Sequence, residues 1–307
     1  MIVNNGMKLL INRAFKKTPD YTIPSNLKVG LSQATVIVSD TDLTLPIPIS
    51  GTELADNCET VGNWAESADG NDSLNSTTYK EGVGALNLIK DAQTQASVTY
   101  YSNNNMTSLD FTSKDLWVWL YIKDAATYAK LDTTDCLQLR YGIDYNTNYY
   151  YLNYDKVDLA VGWNALKMNT TTGTEQGTVT LNACDSGALV FTFTATTDEI
   201  AAGDLITDEW KLASTADYLQ SITTGYPTID ETNFEAENQY YINSAEANGY
   251  NLTGVADFNT DSSDLMCSAY KFTSISKSST DEVKFIFKRR FVRRWLLYVF
   301  KYLHSRK

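Results

Sequence analysis

Histidine is almost missing from this chain: its 307 residues hold one, His304, close to the C-terminal end. That removes the commonest general base, and with it any Ser-His or Cys-His relay inside a folded domain. Cysteine is nearly as scarce. Cys58, Cys136, Cys184 and Cys267 stand far apart with no C-x-x-C pair, which argues against a zinc centre and for buried free thiols. Five prolines and sixteen glycines are too few for a fibrous or linker-like protein. No apolar run approaches the roughly 20 residues of a membrane-spanning helix. The stretch Met7-Lys8-Leu9-Leu10-Ile11 is too short and too interrupted for a signal-peptide core, and no small-residue cleavage site follows it.

What is present points to strands. The chain carries 20 Tyr and 6 Trp, with runs of Thr, Val and Tyr that favour extended backbone. Its length suffices for one large core or two ordinary ones, with two slightly favoured. Net charge is −12, which argues against nucleic acid as a partner of the bulk of the chain. Nine of the 25 Lys and Arg crowd into Lys284–Lys307, where there is no acid, so sixteen basic residues face 37 acidic ones elsewhere. An acidic body thus ends in a basic tail.

Ile2, Val3, Leu9, Leu10, Ile11, Ala14 and Phe15 suit a short N-terminal helix, about 4–15, which Pro19 and Pro24 follow and stop. Leu27–Leu31 reads as a strand and Leu43–Ile49, with two prolines, as an edge strand. From about Gly51 short strands recur between polar turns, at Tyr79–Ile89, Gln95–Tyr101, Asp115–Ile122, Cys136–Tyr141, Tyr149–Asn153, Trp163–Met168 and Ala188–Ala195. Such spacing signals a sandwich or barrel. Further strands are expected around 218–224, 233–242, 252–258, 265–272 and 281–287. At about 100° per residue, Phe291, Val292, Trp295, Leu296, Tyr298, Val299, Tyr302 and Leu303 share one face. The spacing therefore predicts a basic amphipathic helix over 291–307. Its uses would be a peg into an acidic neighbour, a membrane-surface or genome contact, or a cover for its own domain.

Two resemblances rest on local motifs. Asp56-Asn57-Cys58-Glu59-Thr60-Val61-Gly62-Asn63-Trp64, Tyr79-Lys80-Glu81-Gly82-Val83-Gly84-Ala85-Leu86-Asn87-Leu88 and Asp208-Glu209-Trp210-Lys211-Leu212 look like three strands of one known group. They resemble the first, "E-G-x-x-S-L-x-F" and closing strands of jelly-roll carbohydrate-binding modules and laminin-G/concanavalin sandwiches. Ala85 stands where Ser is usual. The flanks resemble virion proteins of tailed bacteriophages of the tail-fibre, baseplate or head-fibre type. There the matching segments are Asn5–Arg13, Leu27–Gly30, Ser39–Leu43, Glu246–Asn259 and Phe272–Lys277, with Gly254 and Asp257 departing from the pattern.

The sandwich resemblance implies a structural Ca²⁺ drawn from Asp56 or Glu59, Glu81 and Asp208, against the alternative that these are solvated turn acids. No other cofactor is implied. Trp117, Trp119 and Tyr121 alternate onto one strand face, as do Tyr149 and Tyr151, so both groups are candidate glycan platforms. Hydrophobic core is the competing reading, stronger for the tryptophans than for the tyrosines. Carboxylate pairs for glycoside hydrolysis exist in any acidic β protein, and no motif singles one out.

The expectation is a mainly β protein. An attachment domain (1–52 and 216–290), with the short N-terminal helix, would carry an inserted jelly-roll β-sandwich (53–215), followed by the basic C-terminal helix. It would be a non-enzymatic virion structural or decoration protein, partnered by other virion proteins, by copies of itself and by host surface glycans. The rival readings are a cellular carbohydrate-binding or adhesion protein and a glycan-degrading enzyme.

Overall fold

A computed structural model of the chain describes residues 24–31, 43, 46–47, 53–248, 250–259, 266–291 and 296–306. The chain divides into two compact units, Ser50–Thr215 and the flanking Met1–Ile49 with Ala216–Lys307. Among the described residues no helix is long and apolar enough to cross a membrane, and the four cysteines are free and buried.

The flanking unit opens with β1 (Asn26–Gly30). The central unit then holds β2 (Glu53–Asp56), β3 (Ala65–Glu66), β4 (Gly70–Asn75), β5 (Ala85–Lys90), β6 (Ser97–Ser102) and β7 (Lys114–Ile122). The short helix α1 (Ala125–Lys130) comes next, then β8 (Leu137–Asp144), β9 (Asn148–Tyr154), β10 (Gly162–Met168), β11 (Thr174–Gln176), β12 (Ser186–Thr192) and β13 (Leu205–Ser214). They form two antiparallel six-stranded sheets. One runs β10-β7-β13-β5-β4 with β2 also paired to β13, and the other runs β11-β9-β8-β12-β6-β3.

Strand alternation makes this a sandwich. Leu116, Val118, Leu120 and Ile122 of β7 join Leu86, Leu88, Leu205, Trp210 and Leu212 from the first sheet in one buried cluster. Val98, Tyr100, Leu137, Leu139, Tyr141, Leu189 and Phe191 of the second sheet complete it. The odd-numbered residues of β7, among them Trp117 and Trp119, therefore point out of the sandwich. Helix α1 has a local cause that the expected elements omitted. The side chain of Asp124 accepts from the backbone N of Thr127, and Ala-Ala-Thr-Tyr-Ala-Lys continues from that cap.

Strand β13 carries one irregularity, which sets the direction of its side chains. Asp208 lies opposite Trp119 and Lys211 opposite Trp117, so three steps on β13 span two on β7. The extra residue is a β-bulge, with Glu209 at φ +48°. It keeps Trp210 in the core while Asp208 and Lys211 both face outward.

The flanking unit is also β. It adds β14 (Gln220–Ser221), β15 (Thr228–Asp230), β16 (Glu235–Ile242), β17 (Tyr250–Phe258), β18 (Met266–Lys277), β19 (Asp281–Phe291) and β20 (Leu296–Arg306). Two four-stranded sheets run β14-β1-β17-β18 and β15-β16-β19-β20. Buried Arg289 of β19 reaches Asp257 of β17 and Ser268 of β18, which ties the sheets together.

The expected C-terminal helix is corrected: residues 296–306 pair along the whole of β19 as the antiparallel strand β20. Tyr298-Val299-Phe300-Lys301-Tyr302 is aromatic and β-branched, and such a run favours extended backbone. Its period of two sets Tyr298, Phe300 and Tyr302 in register with Arg289, Phe287 and Phe285. Those three are among the buried positions of β19. The expected N-terminal helix lies outside the described residues. So does most of the 43–49 segment, of which Pro46 forms a bridge to Gly30.

The expected strand 79–89 is shortened to β5. Residues 79–84 are turn, and Gly82 has φ +69° with a Cβ there falling 1.9 Å from Glu59 Oε1.

Gly187 answers to packing instead: a Cβ would lie 2.7 Å from the Trp210 ring. Gly187→Ala is therefore expected to destabilise the central unit by about 1–3 kcal/mol through overpacking. Urea unfolding followed by tryptophan fluorescence measures this, and an unchanged midpoint would sink the packing account.

Candidate functional site

Three clusters include the residues singled out from sequence, and geometry separates them. On the outer face of the first sheet, Trp117 and Trp119 are buried, at 7% and 8% exposure. What buries them includes lysine. Lys167 Nζ lies 5.1 Å from the Trp117 ring centre and Lys80 Nζ 4.0 Å from that of Trp119. These are cation–π contacts that occupy the ring faces a sugar would use. Tyr121 stays half-exposed beside Trp163, with ring centres 5.2 Å apart. Next to it a groove of about 520 Å³ is lined by Asn75, Thr77, Asn87, Lys123 and Gly203 among others. Its polar groups are largely bonded to one another: Asn75 Nδ2 and Gly203 N both donate to Asn87 Oδ1, and Lys123 pairs with Asp204.

The second cluster holds the four acids expected to carry calcium. Asp56 Oδ1 accepts from Cys58 N and from Trp64 Nε1, and Oδ2 from Asn63 Nδ2. Glu59 accepts from Val83 N and Asn57 Nδ2. Asp208 Oδ2 accepts the backbone N–H groups of Lys80 and Glu81, which holds the 79–84 turn down. Lys211 Nζ lies 2.5 Å from Glu81 and 3.0 Å from Glu209.

These donors decide the fit to a metal. Ca²⁺ needs six to eight oxygens, yet Asp56 and Glu59 are turned to N–H donors and Glu81 to an ammonium. Only Asp208 Oδ1 is left buried and without a partner among the four. Among the described residues no three His, Cys, Asp or Glu side chains converge where a metal could sit. As arranged, the residues do not fit calcium; Lys211 supplies a counter-charge to Glu81 and Glu209. Burial pushes the Asp208 carboxyl up to about 7, against the pull of the Lys80 and Glu81 N–H groups. Burial likewise draws the Lys80 ammonium down to about 8, opposed by Glu81 and Asp208.

The third cluster is the outer face of the second sheet. Tyr151 lies opposite Arg140, Arg140 opposite Ala188, and Ala188 opposite Tyr101. At about 4.8 Å per strand this row spans roughly 14 Å. Tyr149 and Tyr151 meet edge to face, ring centres 6.0 Å apart. The Arg140 guanidinium sits 4.6 Å above the Tyr149 ring. Its Nε donates to Gln138 Oε1 at 2.6 Å and its Nη1 to Tyr145 O at 3.1 Å. Tyr145, in the β8–β9 turn, stacks on Tyr101 at 3.8 Å and 8°. Tyr101, Arg140, Tyr145 and Tyr151 are all half-exposed, and Tyr149 is buried at 8%.

Tyr101, Gln138, Arg140 and Tyr145 were not singled out from sequence. The signal available was the alternation Gln138-x-Arg140 on a strand next to Tyr149-x-Tyr151, which becomes a single surface only once pairing is known.

No family model matches the chain, and no curated protein does. Among solved structures it is similar to the family 11 carbohydrate-binding module from Clostridium thermocellum in complex with a β-1,3-1,4-mixed-linked tetrasaccharide. That similarity has 11% identity and a TM-score of 0.38, covering 55% of this chain and 98% of the module. It is also similar to a xylan-binding domain of carbohydrate-binding module family 22, at 19% identity and a TM-score of 0.28, covering 54% and 97%. An exo-β-agarase is similar at 13% identity and a TM-score of 0.38, covering 55% of this chain and 25% of that enzyme.

Asp208 gives a pH test. Its folded pKa lies above the ordinary carboxylate value near 4, so the stability it contributes is full below about pH 4 and is lost as pH rises through about 7. Asp208→Asn, which keeps an oxygen for the two N–H groups, should flatten that decline. Urea midpoints between pH 4 and 8 measure it; parallel curves for the two proteins would refute the assignment. EDTA is expected to leave the thermal midpoint unchanged. A fall reversed by added calcium would show that the acids do hold a metal.

Proposed function

We propose that the central unit is a non-catalytic glycan-binding sandwich whose binding face is the outer surface of the second sheet. One observation carries this reading. Aromatic rings at both ends of a row roughly 14 Å long flank a guanidinium and a side-chain amide, Arg140 and Gln138, on a solvent-facing sheet. Aromatic faces pack against the apolar C–H patches of sugar rings. Arg and Gln then bond the hydroxyls between them. The first sheet's outer face suits this less, since lysines already cover its two tryptophans.

The flanking unit would be the part that anchors, to other structural proteins or to further copies of the chain. Many weak sites acting together would then give useful avidity. The setting on a tailed-phage particle rests on the flanking sequence motifs, and immunogold labelling of purified particles tests it.

Tyr151→Ala is expected to weaken binding to glycans captured by the wild-type chain by about tenfold. The thermal midpoint should change little, because Tyr151 lies on the outer face. Isothermal titration with array-positive oligosaccharides provides the measurement. Unchanged affinity in Tyr151→Ala would move the site away from this face. Release of reducing ends from a bound glycan over hours would replace the binding reading with an enzymatic one.

A further inference from the structure

The cations of the central unit fall into two groups, and Arg140 belongs to the one that pairs with no carboxylate among the described residues. Lys114, Lys123, Lys167 and Lys211 pair with carboxylates. Lys90, Lys130 and Lys156 donate to backbone carbonyls instead, and Lys80 Nζ lies over the Trp119 ring with no hydrogen-bond partner among the described residues but with Glu81 and Asp208 acting on its charge. Arg140 pairs with no carboxylate among the described residues, although the chain carries 37 acids. Its two bonds go to neutral oxygens, of Gln138 and Tyr145. A guanidinium has five N–H donors, so three remain for a ligand. Burial draws its pKa down, with only the neighbouring Tyr149 and Tyr145 acting the other way. A half-desolvated charge without a counter-ion is unfavourable in the free protein, and an arriving anion relieves it.

Its orientation is fixed as well. The guanidinium carbon sits 4.6 Å from the Tyr149 ring centre, Nε is held by Gln138, and the β8–β9 turn holds Nη1. What is left is the forked edge, whose geometry matches the two oxygens of a carboxylate. The chain's net charge of −12 repels charge-dense polymers at long range. A site with one guanidinium inside an acidic protein therefore favours an isolated carboxylate over a run of sulfates.

We propose that Arg140 is the specificity-determining residue of this face and selects an acidic glycan, one presenting a uronic-acid-type carboxylate between the tyrosine pairs. This rests on the glycan-binding reading of the same face, which it narrows to one substrate class.

The test uses the full chain on an array holding acidic oligosaccharides, their carboxyl-reduced counterparts and neutral oligosaccharides, followed by titration of the hits. The expected hits are acidic, with carboxyl reduction weakening them at least about tenfold, the scale of one charge-assisted bidentate contact. Affinity should also fall as NaCl rises from about 50 to about 500 mM. Arg140→Met should remove the preference for the acidic member of each pair. Arg140→Lys, which keeps charge but not the fork, should recover only part of it, and matched thermal midpoints guard against misfolding. Equal affinity for acidic and reduced members in the wild-type chain overturns the proposal while leaving glycan binding intact. The absence of any hit overturns both.

Discussion

The central unit depends on one constraint: the two ends of its chain must pair with each other. β2 and β13 are antiparallel neighbours, with Asp56 opposite Trp210 and Glu53 opposite Leu212. The chain therefore comes in and goes out side by side, and the sandwich between them closes without threading through anything else. Side chains reinforce the pairing at the same point. Trp210 and Trp64 pack with ring centres 5.5 Å apart, and Asp56 accepts the Trp64 indole N–H together with the backbone N of Cys58. Truncating a buried ring of that size costs about 3–5 kcal/mol, a large share of the roughly 5–15 kcal/mol by which domains are stable. The clamp is where the sandwich has most to lose.

The bulge in β13 is a consequence of the clamp. Trp210 must face inward to reach Trp64, yet Asp208 must face outward to hold the 79–84 turn by two N–H groups. Strict alternation would put residues 208 and 210 on the same face. The inserted Glu209 breaks that alternation, so Asp208 shares the outer face with Lys211 while Trp210 stays inside. The inserted residue itself becomes a buried carboxylate, which Lys211 neutralises. One geometrical demand thus brings Asp208, Glu209 and Lys211 together.

Much of this fold was legible in the chain, for identifiable reasons. Strands rich in aliphatic and aromatic residues, such as Asp115–Ile122 and Trp163–Met168, stand within a residue or two of where the sequence placed them. The failures are equally physical. Tyr79–Gly84 leads straight into the apolar Ala85–Ile89 run and reads as its beginning, but Gly82 turns left-handed and Asp208, far along the chain, fixes the bend. In Leu296–Arg306 the apolar residues fit a helical face and a strand face almost equally. Pairing with β19, a tertiary fact, decided for the strand. The tyrosine face was half visible. Tyr149 and Tyr151 are two apart on one strand, whereas Tyr101, Arg140 and Tyr145 join them only through the β6–β12–β8–β9 pairing order.

The two outer faces show why aromatic content alone does not locate a binding surface. Both sheets display aromatic residues outward, and both bring cations over the rings. On the first sheet the cations are lysines whose ammonium groups cover Trp117 and Trp119 while Asp115 pairs with Lys167. The rings are covered there, and Lys167 has its counter-charge. On the second sheet the cation is an arginine bound to neutral oxygens; Tyr149 beneath it is buried, while Tyr101, Tyr145 and Tyr151 stay half-exposed. An ammonium over a ring completes a surface; a guanidinium with an unmatched edge leaves one unfinished. On the proposed reading, that difference, more than the number of rings, separates the two faces.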